Sequence, residues 1–410
     1  MRHYLTAISL LLATTITAQQ QVFTLDAQLR SRGEYNNGAI QPRDEGQKAA
    51  YYINERARVT AGYQRQRLEL KVGVQHTGVW GQDGMNERNG RIAMNEAWAK
   101  VRFGKDFFAQ VGRQQLSYDD ERLLGSSDWN VAGSWHDALR LGYSHLTTTV
   151  HAIVAFNQNG ENLRSGYYEA GMPYKQMQAV WAHHNFLRLP LGVSLLAMNV
   201  AREAGVADTS KTRHLQTFGT YITYKPKWFK LEGAFYFQTG KATNEKSIAA
   251  FMASIRGTYF INQDLNVHAA YDYLSGNDGY NTNQHAFDPL YGTHHKFYGS
   301  MDYFTGLVVY GLQDIQGGVQ TSILKPVNIG IDYHCFLLAE RIKGLNSLMG
   351  HEIDCQVKYQ IMKDVSLAAG YSVCLGTKTM DYIKHGNHKS WQDWAWISLN
   401  ISPRILSTKW

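Results

Sequence analysis

Hydrophobic and polar residues alternate with a period of two along most of this chain. The pattern is clearest in the segments 23–30, 56–63, 67–74, 265–272 and 365–372, where every second residue is apolar. Successive side chains of a β-strand point to opposite faces, so each segment predicts a strand with one apolar and one polar face. The chain is therefore predicted to be all-β.

The lengths of these segments and of their links favour a membrane barrel over a soluble sandwich. The segments run about ten to thirteen residues, which is enough for the ~9–11 that cross a bilayer with a tilt. The links alternate in length, like the short turns and long loops at the two rims of an outer-membrane barrel. Short links are predicted at 64–66, 104–106, 146–147, 187–190, 226–228, 260–263, 325–326 and 361–363, and long ones near 35–50, 81–90, 118–137, 158–176, 202–212, 240–246, 340–349 and 377–390.

The number of strands depends on how the segment 276–312 is interpreted. Both termini of such a barrel lie on the periplasmic side, so the number must be even. One long external loop gives eighteen strands, the last near 393–402, whereas two further strands inside the segment give twenty. The turn-forming sequences GNDG at 276–279 and DP at 288–289 favour the single loop. We therefore predict a transmembrane antiparallel up-and-down β-barrel of about eighteen strands.

The N-terminus has the features of a secretory signal. Arg2 precedes the apolar stretch 5–13, and small residues at 16–18 form a cleavage site. The apolar stretch is shorter than the ~20 residues that a spanning helix needs. We expect a signal peptide at 1–18 and a single barrel domain at 19–410, placed in the outer membrane of a Gram-negative bacterium after cleavage.

Aromatic and charged residues refine this interpretation. The chain holds 25 Tyr, 16 Phe and 10 Trp, and several of them fall near predicted strand ends, where amphipathic rings suit the headgroup level. Packing in an ordinary core is the alternative for any one of them. The end-of-strand aromatics are Tyr51, Tyr52, Trp228, Phe229, Tyr271, Tyr273, Trp391, Trp394 and Trp396.

The net charge and the cysteines exclude two other classes of protein. The formal charge of +7 is modest and scattered, with no basic run of the kind that binds nucleic acid. The odd set Cys335, Cys355 and Cys374 does not make a disulfide framework.

The polar faces of the strands are expected to line a water-filled bore. Over the first six strands these faces are rich in cations, which would concentrate anionic solutes. The alternative is that the charges pair across neighbouring strands and only stiffen the wall. The predicted lining comprises Arg30, Arg32, Arg56, Arg58, Arg67, Lys71, Lys100, Arg102 and Arg140 against Asp26, Glu34, Glu69 and Glu96, and further on Arg256 and Lys358 against Glu232, Asp272, Asp332, Glu352 and Asp354.

Two regions of the sequence carry motifs that are not generic to barrels. Residues 112–125 read GRQQLSYDDERLLG and are followed by Trp129 and by DALR at 137–140. These motifs resemble the alginate export family of outer-membrane barrels, and the likeness covers essentially the whole mature chain. Further motifs of the same family are DYLSGN, FDPLYG and HKFYG at 272–277, 287–292 and 295–299.

The resemblance implies a monomeric eighteen-stranded pore. The best-known family members carry the anionic polysaccharide alginate through an arginine-lined channel. Arg113, Arg122 and Arg140 match the arginines of the motif and would contact solute, although Arg122 could instead tie the loop 118–137 to the wall. The acidic second half of the lining departs from the family pattern. The full set of candidate pore-lining residues is Arg56, Arg58, Lys71, Arg102, Arg113, Arg122 and Arg140.

The function predicted from the sequence is export or diffusion of polar, anionic, polysaccharide-like solutes. Expected partners are outer-membrane lipid, a small or polymeric anionic solute and an export partner in the periplasm, with no nucleic acid, cofactor or metal. A barrel hydrolase and a structural or adhesive barrel are the alternatives. The pairs His183-His184 and His294-His295 could serve a hydrolase, but adjacent strand residues point apart and no Gly-x-Ser-x-Gly motif occurs. The protein is therefore not expected to be an enzyme.

Overall fold

A computed structural model describes residues 20–85, 92–161, 165–169, 171–206, 209–279 and 282–410. The predicted signal peptide at 1–18 lies outside the described residues. Among the described residues, no helix is both long enough and apolar enough to cross a bilayer. The structure is dominated instead by strands.

Nineteen strand segments follow one another among the described residues, and from β1 to β18 each is hydrogen-bonded to its sequence neighbours in antiparallel fashion, whereas β19 pairs with β1. They are β1 (Gln21–Asn37), β2 (Ala50–Arg65), β3 (Leu68–Val79), β4 (Ile92–Phe103), β5 (Phe107–Gln114), β6 (His136–His145), β7 (Thr148–Phe156), β8 (Gln176–Asn185), β9 (Leu191–Ala204), β10 (Lys211–Tyr224), β11 (Phe229–Lys241), β12 (Ser247–Phe260), β13 (Leu265–Leu274), β14 (Leu312–Thr321), β15 (Val327–Leu337), β16 (Leu348–Met362), β17 (Val365–Gly376), β18 (Gln392–Ile401) and β19 (Arg404–Lys409).

The sheet closes because β1 pairs with β2 on one side and with both β18 and β19 on the other. The last two segments form one wall strand that is interrupted at Pro403, whose nitrogen has no hydrogen to donate. The carbonyl oxygen of Pro403 still accepts from Ala27 N (3.0 Å), so the seam with β1 continues across the break. The barrel therefore has eighteen wall strands, and the last one is longer than the predicted 393–402.

The links alternate as predicted. The eight short turns, of two to five residues each, lie at one rim, and the nine loops at the other rim have five or more residues. The segment between β13 and β14, residues 275–311, contains no strand among its described residues, which confirms eighteen strands rather than twenty. Its only described helix is a single 3-10 turn, and one short α-helix, α1 (Lys378–Lys384), lies in the last loop.

One face of the sheet is apolar and outward, and the other is polar and inward. On β2, Val59 is 45% exposed whereas Arg56 is fully buried. The outward face meets lipid, where apolar side chains belong. The aromatic prediction is wrong for Trp394 and Trp396, which are buried inside the barrel because the even-numbered residues of β18 face the bore. Tyr51, at 75% exposure, fits the predicted position at the rim.

The two faces of β15 give a matched test of this orientation. Ile331→Arg would place a charge against lipid, whereas Asn328→Arg would place it in a water-accessible cavity of the bore. We expect the first to lower the free energy of unfolding in phosphocholine vesicles by about 2–4 kcal/mol and the second by less than about 1 kcal/mol. Equal losses in a denaturant titration would contradict the assignment of the faces.

Candidate pore constriction

Two long loops fold into the bore: L3 (115–135, between β5 and β6) and L7 (275–311, between β13 and β14). L3 first reaches β8 and β9. Asp119 accepts hydrogen bonds there from Trp181 Nε1 (3.0 Å) and Ser194 Oγ (2.5 Å). Burial raises the pKa of Asp119, an effect that these two donors oppose. The first turn of L3 is thus fixed to β8 and β9.

Arg122 then ties L3 to the next part of the wall. Its guanidinium donates to Asp120 on L3 (2.7 Å) and to Ser254 on β12 (2.8 Å). It also lies 2.8 Å from a carboxylate oxygen of Asp272 on β13 and donates to Tyr298 of L7 (3.1 Å). Burial alone would lower the pKa of Arg122, but Asp272, Tyr298 and Asp120 raise it well above its ordinary value. This supports the alternative that Arg122 anchors the loop.

The second half of L3 crosses to the opposite side of the barrel. Asp128 pairs with Arg56 of β2 (2.9 Å) and with Arg30 of β1 (3.5 Å). Arg32 donates to the carbonyl oxygen of Trp129 (2.9 Å), and its guanidinium carbon lies 3.8 Å from the centre of a Trp129 ring. L3 therefore contacts wall strands on both sides and spans the bore.

L7 lies against L3 along a short contact that requires close backbone approach. Tyr291 N donates to Leu123 O, and Gly125 N donates to Tyr291 O. A Cβ at Gly292 would lie 2.2 Å from the carbonyl oxygen of Arg122, so only glycine fits. His295 stacks on Trp129 at 4.1 Å between ring centres. The two loops therefore form one body inside the barrel.

Two carboxylates of β16 and an arginine of β9 hold the other side of L7. Glu352 and Asp354, on β16, accept hydrogen bonds from the backbone of L7 at Met301 N (2.8 Å) and Ser300 N (3.3 Å). Arg202 of β9 pairs with Asp288 of L7 (2.8 Å). Glu352 and Asp354 thus bind a loop of the same chain rather than facing open water. Two other acidic residues have wall partners: Glu232 pairs with Lys230 (2.7 Å), and Asp332 lies 2.8 Å from His268 Nε2.

The candidate cations are spread along the bore and are held in two ways. Arg56 on β2 pairs with Asp128 of L3, and Arg122 lies on L3 itself and ties the loop to the wall. Four of the others lie on the wall strands close to carboxylates or amides, as follows: Lys71 to Glu96 (2.6 Å), Arg102 to Glu69 (2.7 Å), Arg113 to Asp137 (2.8 Å) and Arg140 to Gln110 (2.7 Å). Arg58 donates to Gln75 through Nε (2.9 Å) and Nη2 (2.6 Å). The predicted alternative of cross-strand pairing therefore applies to Lys71, Arg102 and Arg113.

Sequence reasoning misplaced one residue and missed others. Arg67 does not line the wall, because it lies in the turn between β2 and β3. Asp128 and Trp129, which complete the constriction, could not be assigned because a loop shows no periodicity. The only available signal was the family motif, in which Trp129 follows residues 112–125 and Asp128 stands beside it.

Cavities remain beside the two loops. One, of about 380 Å³, is bounded by Arg32, Tyr52, Trp129, Thr293 and Asp302. Another, of about 740 Å³, lies between L3, L7 and the loop before β8. Both have the dimensions of small-molecule sites.

A closed sheet with a lipid-facing apolar wall and a polar bore narrowed by inward loops defines an outer-membrane pore protein. Sequence comparison gives its family: residues 22–351 match the model for alginate export. The chain therefore belongs to the alginate export family, in agreement with the resemblance seen in its motifs. No curated protein gives a significant match.

Solved structures of outer-membrane porins share the fold. OccAB1 of Acinetobacter baumannii aligns with a TM-score of 0.67 at 14% identity, covering 94% of this chain and 97% of that one. OpdK of Pseudomonas aeruginosa, solved with vanillate, gives 0.63 at 10% identity with 94% and 99% covered. OccK2 (OpdF) of the same organism, solved with glucuronate, gives 0.61 at 9% identity with 94% and 98% covered. These similarities confirm the fold, a closed antiparallel β-barrel.

Replacing Arg122 tests whether it anchors L3. In Arg122→Ala, Asp120 and Asp272 would remain buried without their cation, which costs about 3–5 kcal/mol. We expect the amides of L3 to exchange hydrogen at least about a hundredfold faster, because the loop would leave the wall.

Arg102→Ala is the matched control. Arg102 is more exposed, and its partner Glu69 keeps Lys100 at 3.2 Å. L3 exchange should be unchanged in this variant. Unchanged exchange in Arg122→Ala would contradict the anchoring role.

Proposed function

We propose that this outer-membrane pore conducts polar solutes with a preference for anions. The observation that carries the proposal is a difference between the two signs of charge in the bore: its carboxylates are paired or covered, whereas two of its arginines have only neutral hydrogen-bond partners. On the acidic side, Asp272 pairs with Arg122 (2.8 Å) and Glu232 pairs with Lys230 (2.7 Å), so these two charges are compensated. Glu352 and Asp354 are buried beneath L7, which covers them from the bore. On the basic side, Arg58 and Arg140 hydrogen-bond to neutral amide oxygens, which leave their charge in place.

The remaining positive charge acts on anions through a partly desolvated bore. Arg58 and Arg140 are both half-buried, on β2 and β6. A charged group between low-dielectric walls raises the local concentration of counter-ions more than the same group in open water. Guanidinium also offers paired donors to a carboxylate. Together with Arg113, which has Asp137 as a partner, these residues would form the anion path.

The dimensions of the cavities favour small solutes while L3 and L7 stay in place. Spaces of about 380 and 740 Å³ admit a molecule of one or two sugar rings. Vanillate and glucuronate, named in the titles of the OpdK and OccK2 structures, are both carboxylates of this size. Passage of a polysaccharide would require the two loops to leave the bore. Such export would also need a partner in the periplasm. We propose that the pore acts as a monomer, as the family resemblance implies, and a single chain closes the whole sheet without a second chain in its wall.

A hydrolase remains the second candidate only because one serine lies beside a histidine. Ser194 contacts His183 Nδ1 (2.8 Å) and donates to Asp119 (2.5 Å). In a hydrolytic triad the histidine stands between the acid and the nucleophile, whereas here the serine stands between the other two and is 1% exposed. This geometry does not prepare Ser194 for nucleophilic attack.

Ion selectivity tests the proposal. In planar bilayers under a salt gradient, the reversal potential of the wild type should show a weak anion preference. Arg58→Gln combined with Arg140→Gln should lower the anion-to-cation permeability ratio by about twofold or more, because the uncompensated charge of the bore is removed.

The control removes the same charge outside the bore. Lys48→Gln with Lys343→Gln changes exposed loop residues and should leave the reversal potential as in the wild type. Cation preference in the wild type, or equal ratios for both double variants, would refute the anion path. Ester or glycan hydrolysis that is lost in Ser194→Ala would favour the hydrolase instead.

A further inference from the structure

Charge is distributed unequally between the two rims of the barrel. The nine long loops contain 14 Lys or Arg and 17 Asp or Glu in the printed sequence. The eight short turns contain three carboxylates, Asp106, Asp264 and Asp364, against seven cations. Six of these cations form what we call the turn collar: Arg67, Lys105, Arg188, Lys225, Lys227 and Lys363. All six are exposed, and the seventh, Lys325, pairs with Asp264 (3.0 Å).

Large apolar side chains stand beside the collar cations. Arg188 lies between Leu187, which is 84% exposed, and Leu189, and Lys363 follows the exposed Met362. Lys227 Nζ lies 5.0 Å from the centre of the neighbouring Trp228 ring. Turns that faced bulk water would gain nothing from exposed leucine, methionine and tryptophan at their tips.

This combination fits the headgroup level of a bilayer. Apolar tips reach the acyl chains there, while Lys and Arg extend to the phosphates, and tryptophan is favoured at the same depth. The collar occupies five of the eight turns, from the β2–β3 turn to the β16–β17 turn, so it forms an interrupted ring around the barrel. A ring matches lipids that surround the whole circumference better than it matches a protein docked on one side.

We propose that the turn collar binds the headgroup phosphates of anionic phospholipids in the periplasmic leaflet. The cations would select a negatively charged headgroup over a zwitterionic one, because only the former leaves a net charge to attract. The apolar neighbours would hold the turns at that depth. This lipid site lies outside the bore and is independent of the solute that the pore conducts.

Competition between two lipids measures this selectivity. The barrel, folded in detergent, is mixed with equal amounts of phosphatidylglycerol and phosphatidylcholine of the same acyl chains, and retained lipids are counted by native mass spectrometry. We expect the wild type to retain phosphatidylglycerol about fivefold more than phosphatidylcholine. Replacing all six collar cations by glutamine should reduce the ratio to about one, since the selecting charge is gone.

The matched control neutralises six exposed cations at the opposite rim: Lys48, Lys246, Arg341, Lys343, Lys378 and Lys389. This variant should keep the wild-type ratio. Heat-dependent gel mobility verifies that each variant is folded. If the sixfold collar variant does not fold, Lys225→Gln with Lys227→Gln is used, and it should lower the ratio in part.

Three outcomes of the lipid competition would overturn the proposal. These are a wild type without preference for phosphatidylglycerol, a collar variant with the full preference, and loss of the preference in the control. Binding of an acidic protein to the collar without lipid selectivity would also overturn it. Conductance in bilayers of pure phosphatidylcholine should be equal in all variants, so failure of the lipid site is distinguishable from failure of the pore function.

Discussion

The structure depends on one constraint, which is that every backbone amide and carbonyl within the hydrocarbon layer must find its partner inside the protein. The chain meets it by pairing each strand with its sequence neighbours and by joining the first strand to the last. The break at Pro403 lies on this seam. Its carbonyl oxygen still accepts from Ala27, so the missing amide hydrogen does not open an edge.

Closure of the sheet creates the bore that holds the loops and through which a solute would pass. An eighteen-stranded ring is too wide for its own side chains to fill, so its interior admits water and loops. L3 and L7 occupy much of this space, and charged wall residues hold them from opposite sides. Arg122 pairs with Asp272 on one wall and Asp128 pairs with Arg56 on the other. Under the proposed function, the charges that would attract a solute are those that this internal binding does not compensate.

The outline of the barrel could be predicted because strand period and link length are local properties. Alternation on β2 places Arg56 inside and Val59 outside, as the structure confirms. The predictions were wrong where the alternation stops and where the odd or even position of a residue on its strand was not considered. Arg67 belongs to a turn, the last strand resumes after Pro403, and Trp394 and Trp396 face the bore rather than the headgroups.

By itself, the sequence determined the all-β class, the strand number, the orientation of each face and the family resemblance. These features follow from a two-residue period that any strand in lipid must obey. Only the tertiary structure decided which cations remain uncompensated, because the partners come from distant segments. Asp128 and Arg56 are 72 residues apart, and Arg122 and Tyr298 are 176 residues apart. Such contacts depend on how two aperiodic loops pack inside a closed ring, which no local pattern encodes.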